Sequence, residues 1–226
     1  MSVINFVTRR AQPPVRVFYG QCGEDKIVFE RYFQTKRNGT FLEMGALDGV
    51  TYSNTKFFED TLGWSGVLIE PIPHNYEKCC RDRPRSQVYN CIISSSLDPM
   101  EIYVNGAVSS VKEFTTQQFY DGWHKKANAG TIRVECRRLD DLLHDAKVRS
   151  IDFWSLDVEG SEYEVLKTMD WDIPVHVLCM EVGGGEASEM NEACRDLLRQ
   201  HGFRFDGPAA HNELWVNPAT IGLGRK

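Results

Sequence analysis

The residues with chemistry to offer fall in a few short stretches. Glu43-Met44-Gly45-Ala46-Leu47-Asp48-Gly49 leads into Ser53-Asn54, followed by Glu70-Pro71, Cys91-Ile92, Asp157-Val158-Glu159-Gly160-Ser161-Glu162, Glu181 and finally His211. Gly45 and Gly49 let a ligand approach the backbone, and the free N–H groups of a helix starting at Ser53 favour an anionic group. The interval fits neither GxGxxG nor a loop ending in GK[ST], so the dinucleotide and P-loop fingerprints are both unmet. Glu43 and Asp48 argue against a pyrophosphate and for a ligand carrying positive charge. Glu70 lies 25 residues after Gly45, where a doubly wound sheet places an acid on a ribose diol. Asn90, Cys91 and Ile92 offer backbone groups and a small apolar wall suited to an adenine. Asp157, then Glu181, then His211 are the candidates for a general base, and Asp157 with Glu181 could hold Mg²⁺ through oxygen ligands.

These stretches can meet only if the chain folds so that each follows a strand. The pattern supplies that. Gly23 to Phe33 has helical apolar spacing, Thr40 to Met44 is a short apolar strand, and Ser53 to Leu62 is a helix opened by a hydroxyl cap and ended by Gly63. Val67 to Ile69 is a buried strand, and Pro73 to Asp82 a helix with proline in its first turn. Further strands are expected at Gln87 to Ile93, Met100 to Val104, Thr131 to Arg138, Ser150 to Leu156 and Val175 to Glu181, with helices at Ser161 to Met169 and Ala187 to His201. Phe203 to Phe205 and Glu213 to Val216 read as a closing hairpin turned at Gly207-Pro208. Alternating strands and helices imply an α/β fold, a mostly parallel sheet with helices on both faces and an antiparallel hairpin at one edge. Such a sheet gathers its ligand outside the carboxyl ends of its strands. An acidic crevice with a ribose and adenine address and no phosphate site fits S-adenosylmethionine, a cationic sulfonium.

Composition bounds the rest. The 26 Lys plus Arg against 32 Asp plus Glu give a net charge of −6, which disfavours nucleic acid as a partner because a phosphate-binding face is usually basic. No apolar run approaches the length of a membrane span, and Met1 to Arg10 lacks a signal peptide's apolar stretch, so the chain reads as soluble and cytoplasmic. Seven scattered cysteines suit a reducing compartment and lack zinc-site spacing. Lys78, Arg81, Arg83 and Arg85 read as a solvated helix face. Residues 105–130 have no clean period but carry Phe114, Phe119, Tyr120, Trp123 and His124; this stretch reads either as a sugar platform or as a satellite core under a long loop.

Taken together, Tyr19-Gly20-Gln21-Cys22-Gly23-Glu24-Asp25, Phe41 to Gly49, Ser53-Asn54-Thr55, Leu62 to Pro71 and Ser155 to Glu162 resemble, in order, the motifs of the FkbM family of S-adenosylmethionine-dependent methyltransferases. The resemblance runs from about Tyr19 to Val216 and implies a Rossmann-like class I methyltransferase with a seven-stranded sheet. Residues 1–226 would form one domain, with 1–36 a helical extension contributing to the cofactor site and 105–130 a substrate-loop insertion. The implied activity is O-methylation of a hydroxyl on a sugar or glycan, or alternatively on a polyketide or other small natural product. Gly45, Ala46 and Gly49 would lie under the methionine part, Gln21, Ser53 and Asn54 at its polar ends, and Glu70 on the ribose. Glu43, Asp48, Pro71, Cys91, Ile92, Asp157 and Glu159 would complete the cofactor site. Where the family often has Asn, this chain has Leu47 or Asp48, and where it has a small Ala near the adenine, this chain has Cys91 and Ile92. An NAD(P)-linked oxidoreductase on the same sheet is the rival from another class, disfavoured by the missing GxGxxG.

Overall fold

The computed structural model describes residues 16–183 and 188–221. Its main sheet is built from β1 (Thr40–Met44), β2 (Ser65–Ile69) and β3 (Ser86–Tyr89), and from four later strands. Between the two sets come the short strands β4 (Ile92–Ile93), β5 (Met100–Tyr103), β6 (Ser110–Val111), β7 (Thr131–Val134) and β8 (Cys136–Arg137). The sheet is completed by β9 (Ile151–Leu156), β10 (Val175–Glu181), β11 (Arg204–Ala209) and β12 (Asn212–Val216). Its order is β3-β2-β1-β9-β10-β12-β11. β1 pairs in parallel with both β2 and β9, and only β12 runs antiparallel, inserted between β10 and β11. The chain leaves β1 in one direction and returns on its other side at β9, so the order reverses there and the loops after β1 and β9 diverge to open a crevice.

The central strands are buried on both faces, which is why β9 has all six residues buried and reads as a continuous apolar run rather than an alternation. One face carries Leu42, Met44, Trp154, Leu156, Leu178 and Met180 against α6 (Leu139–Asp145), α7 (Glu162–Leu166) and α8 (Ser188–Gln200). The other packs Phe41, Phe153, Val177 and Cys179 against an aromatic cluster of Phe29, Phe33, Phe57, Phe58 and Trp64. That cluster comes from α1 (Glu24–Val28), the π-helical turn Phe29–Phe33 that continues it, and α2 (Lys56–Leu62). A third, smaller core of Ile72, Ile92, Ile102, Val111 and Val134 lies under the antiparallel sheet β6-β5-β7.

Several expected elements shift. The Gln87 to Ile93 run divides, because β3 belongs to the main sheet while β4 pairs with β8. Gly207 and Pro208 lie inside β11, opposite Leu214 and Glu213, so the hairpin turns instead at Ala210-His211, with Ala210 at φ 56°. Leu139–Asp145 is helical, its Leu139, Leu142 and Leu143 fully buried at i, i+3 and i+4; the strand-based reading passes over it. α3 (Pro73–Asp82) has the expected bounds. Arg83, at its end, is wholly buried rather than part of a solvated face, while Arg81 remains exposed. No helix among the described residues is long and apolar enough to cross a membrane.

Candidate active site

The crevice at the carboxyl ends of β1, β2, β9 and β10 is a cavity of about 1160 Å³, including the solvent at its mouth. Its floor is the turn after β1. Gly45 has φ 74°, and a Cβ there would stand 1.9 Å from the carbonyl oxygen of Asp157. The two strand ends are therefore in backbone contact, which only glycine permits. Leu47, Tyr52 and Glu159 all line the cavity and all have positive φ, at 48°, 61° and 53°. Non-glycine residues in this region are strained and concentrate at functional sites. Tyr52 is also held by a bridge to Gly20, which seats the segment before α1 against the turn.

Beneath this floor lies a buried polar lattice. Glu43 accepts hydrogen bonds from the Ser53 hydroxyl (2.9 Å), the Asn54 amide (2.8 Å), the Thr55 hydroxyl (2.6 Å) and Arg83 (3.1 Å). Ser53 Oγ in turn accepts from the Lys56 amide at 3.0 Å, but the helix starts at Lys56, after Thr55, rather than at Ser53. Glu43 and Ser53 line the cavity, but their polar atoms are engaged in holding the loop. Asp48 and Gly49 do not line it. The Asp48 carboxylate caps the amides of Val50 and Thr51, and the Gly49 carbonyl accepts from Arg83; both shape the turn from outside.

Glu70 sits at the end of β2, 4% exposed, and accepts from the amides of Leu47 and Ile72, each at 2.9 Å. Burial pushes it up to about 7, against the opposing pull of those amides. The Asn75 side chain adds to that pull. Pro71, Cys91 and Ile92 line the adjoining wall together with Ile69, Ile93, Ile102 and Val111.

Across the crevice, Asp157, Glu159 and Glu181 each offer an oxygen within 4.8 Å of the others. Burial first, then the charges of Glu181 and Glu159, hold Asp157 well above the ordinary carboxylate range. Burial with the charges of Glu181 and Glu162 pushes Glu159 up to about 9. Glu162 accepts from the amides of Val158 and Gly160 at 3.1 and 3.3 Å and so closes the loop that carries the other two.

Of the residues singled out from sequence, Gln21, Glu43, Gly45, Ala46, Ser53, Asn54, Glu70, Pro71, Cys91, Ile92, Asp157, Glu159 and Glu181 line the cavity. His211 is not among the lining residues; it lies on the exposed hairpin turn. His124 is no platform. It is 1% exposed, its ring stacks on Tyr103 at 4.6 Å, and Nε2 is 2.7 Å from Ser110 Oγ. What residues 105–130 bring to the cavity is Gly106, Ala107, Val108, Ser109 and Val111, small residues whose aperiodic order gives no sign of a shared face. Tyr52, Ser155 and Ser161 also line it. Ser161 stands inside the Asp157 to Glu162 motif, where the acids draw attention away from it.

A mostly parallel sheet in this order, with a glycine turn after its first strand and acids after the second, fourth and fifth strands of the parallel set, defines the Rossmann-like class I methyltransferases. The Methyltransferase FkbM domain model matches residues 43–205. The chain belongs to the FkbM methyltransferase family. No protein of curated function matches it. Among solved structures it is similar to the methyltransferase FkbM of Methylobacillus flagellatus, at 16% identity and TM-score 0.47, over 79% of this chain and 43% of that one. The chain thus spans less than half the length of that relative. Aeropyrum pernix fibrillarin with bound S-adenosyl-L-methionine is similar at 12% identity and TM-score 0.48, over 87% and 73% of the two chains. A TehB-like S-adenosylmethionine-dependent methyltransferase of Corynebacterium glutamicum is similar at 10% identity and TM-score 0.41, over 87% and 85%.

Proposed function

We propose that the protein is an S-adenosylmethionine-dependent O-methyltransferase acting on a hydroxyl of a sugar or glycan. The observation that carries this reading is the pairing, across one crevice, of a diol-ready carboxylate at Glu70 with the Asp157 and Glu181 carboxylates. The residues present fit the cofactor. Gly45 adds no side chain to the cavity floor, where its backbone packs directly on that of Asp157, the Glu70 carboxylate suits a ribose diol, and Pro71, Cys91 and Ile92 line an apolar wall. Gln21, Asn54 and Ala46 lie toward the methionine end. The extension 1–36, of which residues 1–15 lie outside the described residues, serves the cofactor site through the bridge at Gly20, and the insertion 105–130 serves the acceptor through Gly106 to Ser109.

When bound, S-adenosylmethionine supplies an electrophilic methyl group on its sulfonium. Asp157 would take the proton of the acceptor hydroxyl as that oxygen becomes the nucleophile. Burial, and then the charge of Glu181 beside it, raise that carboxyl's affinity for a proton. Asp157→Asn should lower kcat by about 10²- to 10⁴-fold while S-adenosylhomocysteine still binds in calorimetry; an unchanged turnover on a methylated acceptor would refute the assignment. Mg²⁺ held by Asp157 and Glu181 is a second reading, motivated by the convergence of the three acids. It predicts loss of turnover on exhaustive chelation and recovery on adding Mg²⁺.

Glu70 gives this reading a pH signature. Hydroxyls donate to the carboxylate and not to the acid, so ligand binding pulls its titration down from about 7. Affinity for S-adenosylhomocysteine should fall as pH drops below 7, by up to about tenfold per pH unit. Stability of the free protein moves the opposite way. A carboxyl raised from its ordinary range stabilises fully below about 4.5 and loses that contribution as pH rises through 7. Calorimetry between pH 5.5 and 8.5 tests this, and a slope that persists in Glu70→Gln assigns the proton elsewhere.

A further inference from the structure

The cavity's charges are all of one sign. Among its lining residues there is no Lys, Arg or His, while five are acids. Two of the five are already compensated: Glu43 by the buried guanidinium of Arg83, and Glu70 by two backbone amides. Asp157, Glu159 and Glu181 are left, their oxygens converging within 4.8 Å with no cation beside them among the described residues. An atom centred among oxygens that far apart lies at most about 2.8 Å from each, the length of a charge-assisted N–H···O bond.

A second observation points to a missing polar partner on the same wall. Ser161, 3% exposed, lines the cavity, and its Oγ has no hydrogen-bond partner among the described residues. Buried polar groups are paired in the great majority of native sites, so unpaired ones facing a cavity mark where a ligand's polar atoms go. A cofactor with one sulfonium, one ammonium and one carboxylate has a net charge of +1. It leaves most of three converging carboxylates unanswered.

We propose that the acceptor is a cation: a hydroxyl compound bearing a protonated amine near the reacting oxygen, such as an amino sugar, with the ammonium held by Asp157, Glu159 and Glu181. This rests on the methyltransferase reading above and narrows its substrate class. It also disfavours phosphorylated, sulfated and uronic acceptors, because an anion would enter a site lined by converging acids with no positive side chain among the described residues. Glu159 is then a specificity residue, distinct from the proton acceptor Asp157.

The test uses matched methyl glycosides of glucose, glucosamine and glucuronic acid, and the same trio in the galactose series, with the full chain in EDTA. Binding is measured by calorimetry with S-adenosylhomocysteine present, and transfer is measured with labelled S-adenosylmethionine. The expected result is that each amino glycoside binds about 10- to 100-fold more tightly than its neutral partner. That advantage should shrink with added salt, and Glu159→Gln should reduce it without reducing S-adenosylhomocysteine affinity to the same degree. The uronic members should bind least. An amino member no better than its neutral partner in both series overturns the proposal, and so does an advantage that appears only when Mg²⁺ replaces EDTA, since the cation is then a metal. Equal transfer to the neutral glycoside overturns this inference alone. Absence of transfer to every hydroxyl compound, with S-adenosylhomocysteine still bound, overturns both it and the methyltransferase reading of the acceptor side.

Discussion

Arg83→Met should destabilise the protein by about 3–5 kcal/mol, the cost of leaving buried carboxylates without their counter-ion. Arg83 is fully buried between Glu43 and Glu59, which are 3% and 2% exposed. Its Nε donates to Glu59, its Nη2 to Thr55 Oγ1 at 2.8 Å, and its Nη1 reaches Glu43, the Gly49 carbonyl and Ser53 Oγ at 3.0–3.1 Å. Every edge of the fork is used, so Arg83→Lys should recover little: one ammonium cannot serve acceptors on two sides of a planar group. Arg83→Met combined with Glu43→Gln and Glu59→Gln should recover much of the loss, because the uncompensated charges go with the guanidinium. Urea unfolding measures all three. The same lattice holds Ser53, Asn54 and the turn under the cofactor, so affinity for S-adenosylhomocysteine should fall with stability in Arg83→Met. Arg81 is paired with Asp82 at the surface, and Arg81→Met should leave the unfolding midpoint unmoved. If Arg83→Met unfolds at the midpoint of Arg81→Met, the lattice does not carry the fold.

Arg83 also shows where reading the sequence stops. In the chain it stands among Lys78, Arg81 and Arg85 and looks like one more solvated base. Its burial is decided by Glu43 and Glu59, 40 and 24 residues away, which meet it only once β1 and α2 have packed. The strand-end acids were legible for the opposite reason. In a doubly wound sheet the rule that ligands gather at carboxyl ends converts local position into spatial convergence, so Glu70, Asp157 and Glu181 could be assigned to one crevice without any knowledge of distance. That rule has no hold on a hairpin turn, and His211, read as lying on the same rim, is exposed outside the cavity. It has no hold on an insertion either. Gly106 to Ser109 reach the cavity because β5 and β6 pair antiparallel, and a two-residue strand such as Ser110–Val111 is too short to register as a pattern. His124 and its aromatic neighbours suit a sugar platform by type alone, yet the stack on Tyr103 and the contact with Ser110 are formed across that same pairing.

Gly45→Ala should abolish measurable binding of S-adenosylhomocysteine and cost about 2–4 kcal/mol of stability, the sum of a left-handed backbone penalty and a steric clash. The two contributions can be separated within this chain. Gly23 has φ 83°, close to the 74° of Gly45, but a Cβ there meets nothing within 4 Å. Gly23→Ala therefore reports the backbone penalty alone, about 1 kcal/mol. At Gly45 the new methyl would stand 1.9 Å from the Asp157 carbonyl oxygen and 3.1 Å from its carbon, and neither partner is a flexible side chain that can swing aside. Relief requires the ends of β1 and β9 to part, which draws on the bond from the Asp157 amide to the Met44 carbonyl and displaces the Asp157 carboxyl from Glu181. A shift of about 1 Å at reacting groups costs on the order of 100-fold in rate, so residual turnover in Gly45→Ala should fall further than saturating cofactor can restore. Equal destabilisation in the two alanine variants, with binding retained in Gly45→Ala, would mean that the strand ends separate freely and that their contact does not set the geometry of the site.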